Sequence, residues 1–276
     1  MNEQRKIWLG LGAALLAGST ATQAADNTPF NHQASHPTLQ IAALAGEGGE
    51  GEGGEGEGGE GAGPADLTKD DAAYLAQLGL VRGHLRVGIQ LYQAGHKDMA
   101  LTHMKHPGDE LYAGLQPAFD AREVPGFAEA LSQLAKAVEQ GLPASEVESR
   151  HAELEQGIAR AEQLSGADLK TALGSVEKMV RTAAEEYAIG VKAGKIVNAH
   201  EYQDAFGFVT AAQARLDKLT EQQIAQGPEA VREVTQQLDS LRSLWPALVP
   251  EGKVNGDASK LYGAAARIQL ATWELD

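Results

Sequence analysis

The sequence predicts an all-α protein: one or two antiparallel helical bundles behind a disordered Gly/Glu-rich N-terminal segment. Three observations predict it. From Asp66 onward Ala, Leu, Gln, Glu, Lys and Arg are plentiful, and these residues have high helix propensity. Apolar side chains recur at three- and four-residue spacing, as in Tyr74, Leu78, Val81, Leu85, Ile89 and Tyr92, the spacing that gathers them on one helix face. Glycines and prolines punctuate this pattern at short intervals, and no segment alternates as a half-buried strand does.

The N-terminal residues read as a leader. Arg5 and Lys6 precede an apolar run from Ile7 to Ala17, and small residues follow from Gly18 to Ala25. A basic start, an apolar middle and a small-residue end describe a secretory signal peptide, with cleavage expected after Ala24. The apolar run is far shorter than the roughly 20 residues a spanning helix needs. No Cys follows it, which excludes a lipoprotein. The expected location is the periplasm, with no stable membrane insertion after cleavage.

Residues 25–65 read as a linker. Gly46 to Gly63 contains only Gly and Glu apart from Ala62, with Glu47, Glu50, Glu52, Glu55, Glu57 and Glu60 spaced among the glycines. A stretch without apolar side chains has nothing to bury and is expected to stay disordered. Beyond it, punctuation at Gly95, Pro107, Pro125, Gly141, Pro143, Gly194, Gly227, Pro228, Pro246 and Pro250 predicts helices near 68–94, 97–106, 108–121, 126–140, 144–164, 167–191, 198–220, 228–245 and 257–273. The connections are short, so neighbouring helices are expected to pack antiparallel. Ser165 and Gly166 mark a seam between an N-terminal helical domain, 66–165, and a C-terminal one, 166–276.

Composition narrows the function. The formal net charge is −15. A nucleic-acid partner requires a basic surface to displace counterions, so none is expected; cations are the natural small partners of an acidic surface. The chain has no Cys, which excludes thiolate metal sites, iron–sulfur clusters and cysteine catalysis. Any metal must be held by His, Asp, Glu, Tyr, Met or backbone oxygen.

The stretch from Arg82 to Tyr112 carries His84, His96, His103 and His106. At about 100° per residue, His103, His106 and Glu110 share one arc of a helix. Pro107 either bends that helix or starts a new one. A hairpin centred on Gly95 brings His84 level with His106. His84, His103, His106 and Glu110 are thus expected to converge between two helices as ligands of a divalent transition metal, since imidazoles and a carboxylate suit one. The alternative is a set of solvated or internally satisfied histidines, and His96, beside the turn, is expected at the surface.

A second candidate cluster lies in the segment EEYAIGVKAGKIVNAHEYQDAFGF, Glu185 to Phe208. Gly194 is placed to make a tight turn, with Glu186 and Glu201 at similar distances on either side and Tyr187 and Tyr202 beside them. Carboxylate and phenolate oxygens are hard donors that suit ferric iron; equally, the acid–Tyr pairs serve to fix the hairpin. The segment resembles the extracytoplasmic helical domain of bacterial high-affinity iron permeases over about 167–246. The matching residues are Glu186, Tyr187, Gly190, Val191, Gly194, Lys195, Ile196, Glu201, Tyr202, Asp204 and Phe208. Glu186 stands where the family usually has Asp, Ala193 where an acid usually precedes the Gly, and Asp204 where it has Glu. The permease's membrane helices have no counterpart in the sequence, so transport itself does not carry over. The resemblance implies a relative at work in iron acquisition, with a membrane iron permease or another periplasmic protein as partner.

Together these features predict a periplasmic protein that binds or delivers a metal, iron first and copper or zinc next. The alternative is a helical scaffold or interaction module without metal, although no 34-residue repeat supports a tetratricopeptide array. An enzyme is not expected: the sequence holds no G-x-S-x-G, no H-E-x-x-H and no nucleotide-binding loop.

Overall fold

The computed structural model describes residues 65–163, 167–250 and 252–275. The expected leader, its cleavage point and the Gly/Glu tract lie outside the described residues. The described chain is helical, as expected. The helices are α1 (Asp71–Gln93), α2 (Lys97–His106), α3 (Tyr112–Ala121), α4 (Ala128–Glu139), α5 (Ala144–Gln163), α6 (Leu169–Gly190), α7 (Ala199–Leu216), α8 (Glu221–Gln226), α9 (Pro228–Leu241) and α10 (Ser259–Trp273).

Local chemistry sets the ends of these helices. The Asp70 carboxylate accepts from the Ala73 amide and starts α1; Asp168 does the same for α6 through Thr171. Each satisfies an amide that the first turn leaves unpaired. Gly95, at φ +86°, reverses the chain between α1 and α2.

Three features depart from expectation. First, α2 runs into one π-helical turn, Pro107–Leu111, before α3 begins. Proline has no amide to donate there, and the Tyr112 amide bonds back to the Pro107 carbonyl five residues away. Secondly, α6 and α7 are joined by a minimal hairpin, β1 (Val191–Lys192) and β2 (Lys195–Ile196), with Val191 opposite Ile196. Its two-residue turn has positive φ at both Ala193 and Gly194, as the turn that matches strand twist demands. Thirdly, Glu221–Gln226 forms α8 where a loop was expected. A capping box starts it: the Thr220 hydroxyl accepts from the Gln223 amide while the Gln223 side chain accepts from the Thr220 amide.

Helix α1 is the hub. It is buried along nearly all of its length and packs against α2, α5, α6 and α7. Helix α6 packs against α7 and α10, and α9 against α10 and α7. Leu78, Val81 and Leu85 of α1 belong to the same hydrophobic core as Leu154 of α5, Met179 of α6 and Ala212 of α7. The helices before and after residues 164–166 therefore share one core. Among the described residues, no helix is long and apolar enough to cross a membrane.

Candidate metal centre

A close helix approach builds the site. A Cβ placed on Gly207 of α7 would lie 2.6 Å from the Gly83 carbonyl oxygen of α1, so neither position has room for a side chain. This contact brings His84, the residue after Gly83, against Asp204, one turn before Gly207. Helix α2 returns along α1 after the Gly95 turn and adds His103 and His106.

Three imidazoles meet on one buried carboxylate. His84 Nδ1 lies 2.7 Å and His103 Nδ1 2.9 Å from Asp204 Oδ1. His200 Nδ1 lies 3.2 Å from Asp204 Oδ2. A donor atom from each of His84, His103, His200 and Asp204 falls within 4.8 Å of the others. The His84 approach is close, but it lacks the alignment of a hydrogen bond, and His200 Nε2 is buried without a hydrogen-bond partner. Buried polar atoms in that condition are costly unless something satisfies them.

His103 sharpens the point. Gln203 Nε2 donates to the Leu248 carbonyl, which can only accept, and this turns Gln203 Oε1 toward His103 Nε2 at 2.9 Å. His103 Nε2 must therefore carry a hydrogen. In the neutral ring Nδ1 is then a bare lone pair, facing a carboxylate oxygen. Two acceptors face each other at that contact unless a proton or a metal ion joins them. Three imidazoles and a carboxylate are a fitting donor set for a divalent transition metal. Burial works against ionisation of Asp204, but the electrostatic attraction of His84 and the hydrogen bond of His103 outweigh it and hold the carboxyl below the usual carboxylate range.

The sequence-derived candidates fall around this centre. His106 is adjacent: its ring centroid lies 4.3 Å from that of His200 and 5.3 Å from that of His84. His106 Nε2 contacts Glu110 Oε1 at 3.0 Å. Burial, then the neighbouring His200 and His84, lower the His106 pKa to about 4. Burial raises that of Glu110. Met104 points the other way, into the α1–α2 contact over Gly88.

Glu186 and Glu201 do face each other across the α6–α7 hairpin, joined by a side-chain hydrogen bond. Burial and this bond raise the Glu186 carboxyl above its ordinary value. The neighbouring His200 keeps Glu201 below its ordinary value. Glu201 Oε2 lies 3.9 Å from His200 Nδ1, so His200 links the acidic pair to the histidine cluster in one polar network.

Tyr187 and Tyr202 do not join it. Both pack around Trp245, with ring centroids 5.5 and 6.5 Å away. The Tyr202 hydroxyl donates to the Ala247 carbonyl, and the Tyr187 hydroxyl is buried without a hydrogen-bond partner. The physical reason is helix phase. Successive residues are about 100° apart around a helix, so Glu186 and Tyr187, like Glu201 and Tyr202, point in different directions.

Sequence reading missed His200 and Asp204 as site residues. Asp204 stood inside the quoted motif, and His200 and Asp204 are four residues apart, the spacing that puts two side chains on one helix face. That spacing was the available signal.

Residues 165–274 match the family described as the iron permease-associated 4-helix bundle domain. The match bears out the resemblance expected over about 167–246 and carries it on through α9 and α10. The helices it spans include the long α6, α7, α9 and α10. His200 and Asp204 thus come from the matched region, whereas His84 and His103 come from the helices that precede it. No curated protein and no solved structure matches the chain.

Proposed function

We propose that this chain binds a divalent transition-metal ion, iron first, on His84, His103, His200 and Asp204, and serves iron acquisition in the periplasm. The observation that carries the reading is the convergence of three imidazole Nδ1 atoms on the buried Asp204 carboxylate. Protein interiors rarely hold such groups without a partner, and one cation satisfies all four at once.

The iron permease-associated match favours iron. The donor set favours the ferrous state: with the two phenols turned into the core, nitrogen donors dominate, and these suit borderline divalent ions. Copper and zinc suit the same donors and belong in the same measurement. The leader-like residues before Asp26 support export, and the family match supports a membrane iron permease as partner. The role is binding and delivery, not catalysis. The competing reading is a metal-free scaffold in which protons alone satisfy the cluster; the His103 ring, contacted at both nitrogens by protein groups, favours it.

Calorimetric titration of the full chain with ferrous (under nitrogen), cupric and zinc ions separates the two. We expect a saturable site in the wild type and about a tenfold or larger loss of affinity in His84→Ala, as expected on losing one of few ligands. Absence of a saturable site, or equal affinities in both proteins, leaves the scaffold. Elemental analysis of protein taken from the periplasm tests the metal and the compartment together.

A further inference from the structure

We infer that His106 and Glu110 form an outer binding position through which the metal ion enters and leaves the buried centre. The inference rests on the metal-binding reading above and adds a route to it.

Exposure is graded along the cluster. Side-chain exposure rises from 0% at His103 and 6% at His84 to 18% at His200, 23% at His106 and 32% at Glu110. His103, His200, His106 and Glu110 touch in that order. The His103 and His200 rings are 4.4 Å apart, His200 and His106 4.3 Å apart, and His106 reaches Glu110 at 3.0 Å. Donor groups therefore run without a break from the solvent-facing carboxylate to the innermost ring.

Protein groups pack against three other flanks of the cluster. The buried Phe208 ring meets His84 edge-on, with centroids 5.0 Å apart. Gln203, itself buried, covers His103 and is held by the Leu248 carbonyl. On the acidic flank, Glu201 is bound to Glu186, to Asn198 and to His200.

The local backbone at the mouth is also unusual. Glu110 sits in the π-helical turn that begins at Pro107. Such turns are rare and recur at functional sites. Here the turn holds a carboxylate at the mouth, with its oxygen on the outer nitrogen of His106.

The chemistry is ligand exchange. A hydrated cation gives up its water reluctantly, since moving a bare charge into a protein interior is costly. Glu110 replaces part of the hydration shell with a carboxylate oxygen while the ion is still partly in water. His106 adds an imidazole nitrogen next to His200 and His84, so the remaining waters leave in steps. A group that lowers the barrier to entry lowers the barrier to exit equally, and the equilibrium constant moves little.

The test follows cobaltous ion, a coloured divalent probe, into the full chain by stopped-flow absorbance, and out again on mixing with a chelator. The variants are Glu110→Gln and His106→Gln, both at partly exposed positions, with the helical circular dichroism as a check on folding. We expect uptake and release to slow together by about tenfold, the lower end of what supporting residues contribute at metal sites, with a much smaller change in Kd. Wild-type rates in both variants overturn the entry position while the buried centre stands. Faster release alone, with Kd weakened to match, makes His106 a ligand of the centre and also overturns it. A wild-type chain that takes up no cobaltous ion removes the centre and the entry position together.

Discussion

Two carboxylates contact α1, Asp204 buried and Glu162 partly buried, and they are neutralised in opposite ways. Glu162 of α5 accepts from Arg82 of α1 and from Arg215 of α7, the latter at 2.7 Å, with Lys218 at 3.8 Å. Arg82 also donates to Glu155 at 2.7 Å. Burial works against ionisation of Glu162, but Arg215 and Arg82 overcome it and hold its carboxyl below the ordinary value. Asp204, contacting the same helix two residues on from Arg82, is given imidazoles instead. Guanidinium groups keep their charge throughout the working range of pH and bind no metal. Imidazoles gain and lose protons near neutrality and are common metal ligands. One carboxylate is therefore locked into the fold, and the other is left exchangeable.

The sharpest way to break this comparison is to neutralise each carboxylate in turn. Asp204→Asn removes the only charged ligand, and we expect metal affinity to fall by about a hundredfold with the helical fold retained. Glu162→Gln leaves Arg215 without a carboxylate partner and Arg82 with Glu155 alone, and breaking a buried pair by removing one partner costs up to about 3–5 kcal/mol. Its metal affinity, measured under folding conditions, should match the wild type. Urea unfolding and calorimetric titration on both variants give the four numbers. If Glu162→Gln loses affinity as far as Asp204→Asn does, the two clusters are one coupled network and the contrast fails.

A smaller effect separates them by pH. Burial lowers the pKa of His200, but the neighbouring Glu201 and Asp204 carboxylates outweigh it and raise it above the ordinary histidine value. A raised pKa means that the contribution of His200 to metal-free stability is full below about 6.5, the unfolded value, and is lost as pH rises through the folded value. Protons thus stabilise the metal-free cluster in acid, where they also compete with the ion. Affinity should fall roughly tenfold per pH unit for each proton displaced, and the gain in Tm on adding metal should shrink as pH drops from about 7.5 to about 5.5. Glu162, with its carboxyl held low by permanent charges, should stay paired across that window. A metal-induced Tm gain that is flat with pH would mean that the imidazoles are not the ligands.

How much of this was legible in the sequence differs between fold and site. The helices were legible because three- and four-residue spacing and Gly/Pro punctuation are local signals. Helix α8 was missed although Thr220 and Gln223 spell its capping box. The π-turn was not legible, because Pro107 permits both a bend and a new start. The site was half legible. His84, His103, His106 and Glu110 lie on consecutive elements, and a hairpin argument brings them together. Asp204 reaches His103 across 101 residues of chain, and no hairpin argument spans that. The Gly83–Gly207 crossing that brings α7 to α1 is written as two glycines, each ordinary alone.

The tyrosines set the smallest and cleanest expectation. Adjacent to acids that do enter the polar network, they read in sequence as iron ligands, yet their hydroxyls end in the aromatic packing around Trp245. Tyr202→Phe removes a hydrogen bond and leaves the Ala247 carbonyl without that donor, which should cost about 1–1.5 kcal/mol. Tyr187→Phe removes a hydroxyl that has no hydrogen-bond partner, so its stability should stay within about 0.5 kcal/mol of wild type, or rise, because a buried unpaired group is relieved. Neither change touches the donors around Asp204, so metal affinity should be the same in both variants and in the wild type. Ferric loading adds a direct optical check, because iron bound to a phenolate absorbs in the visible by charge transfer. A visible band in the wild type that either Tyr→Phe change abolishes would put a phenol on the metal. That result would require α6 or α7 to turn in the loaded protein by about one residue's rotation, roughly 100°, away from the packing seen here.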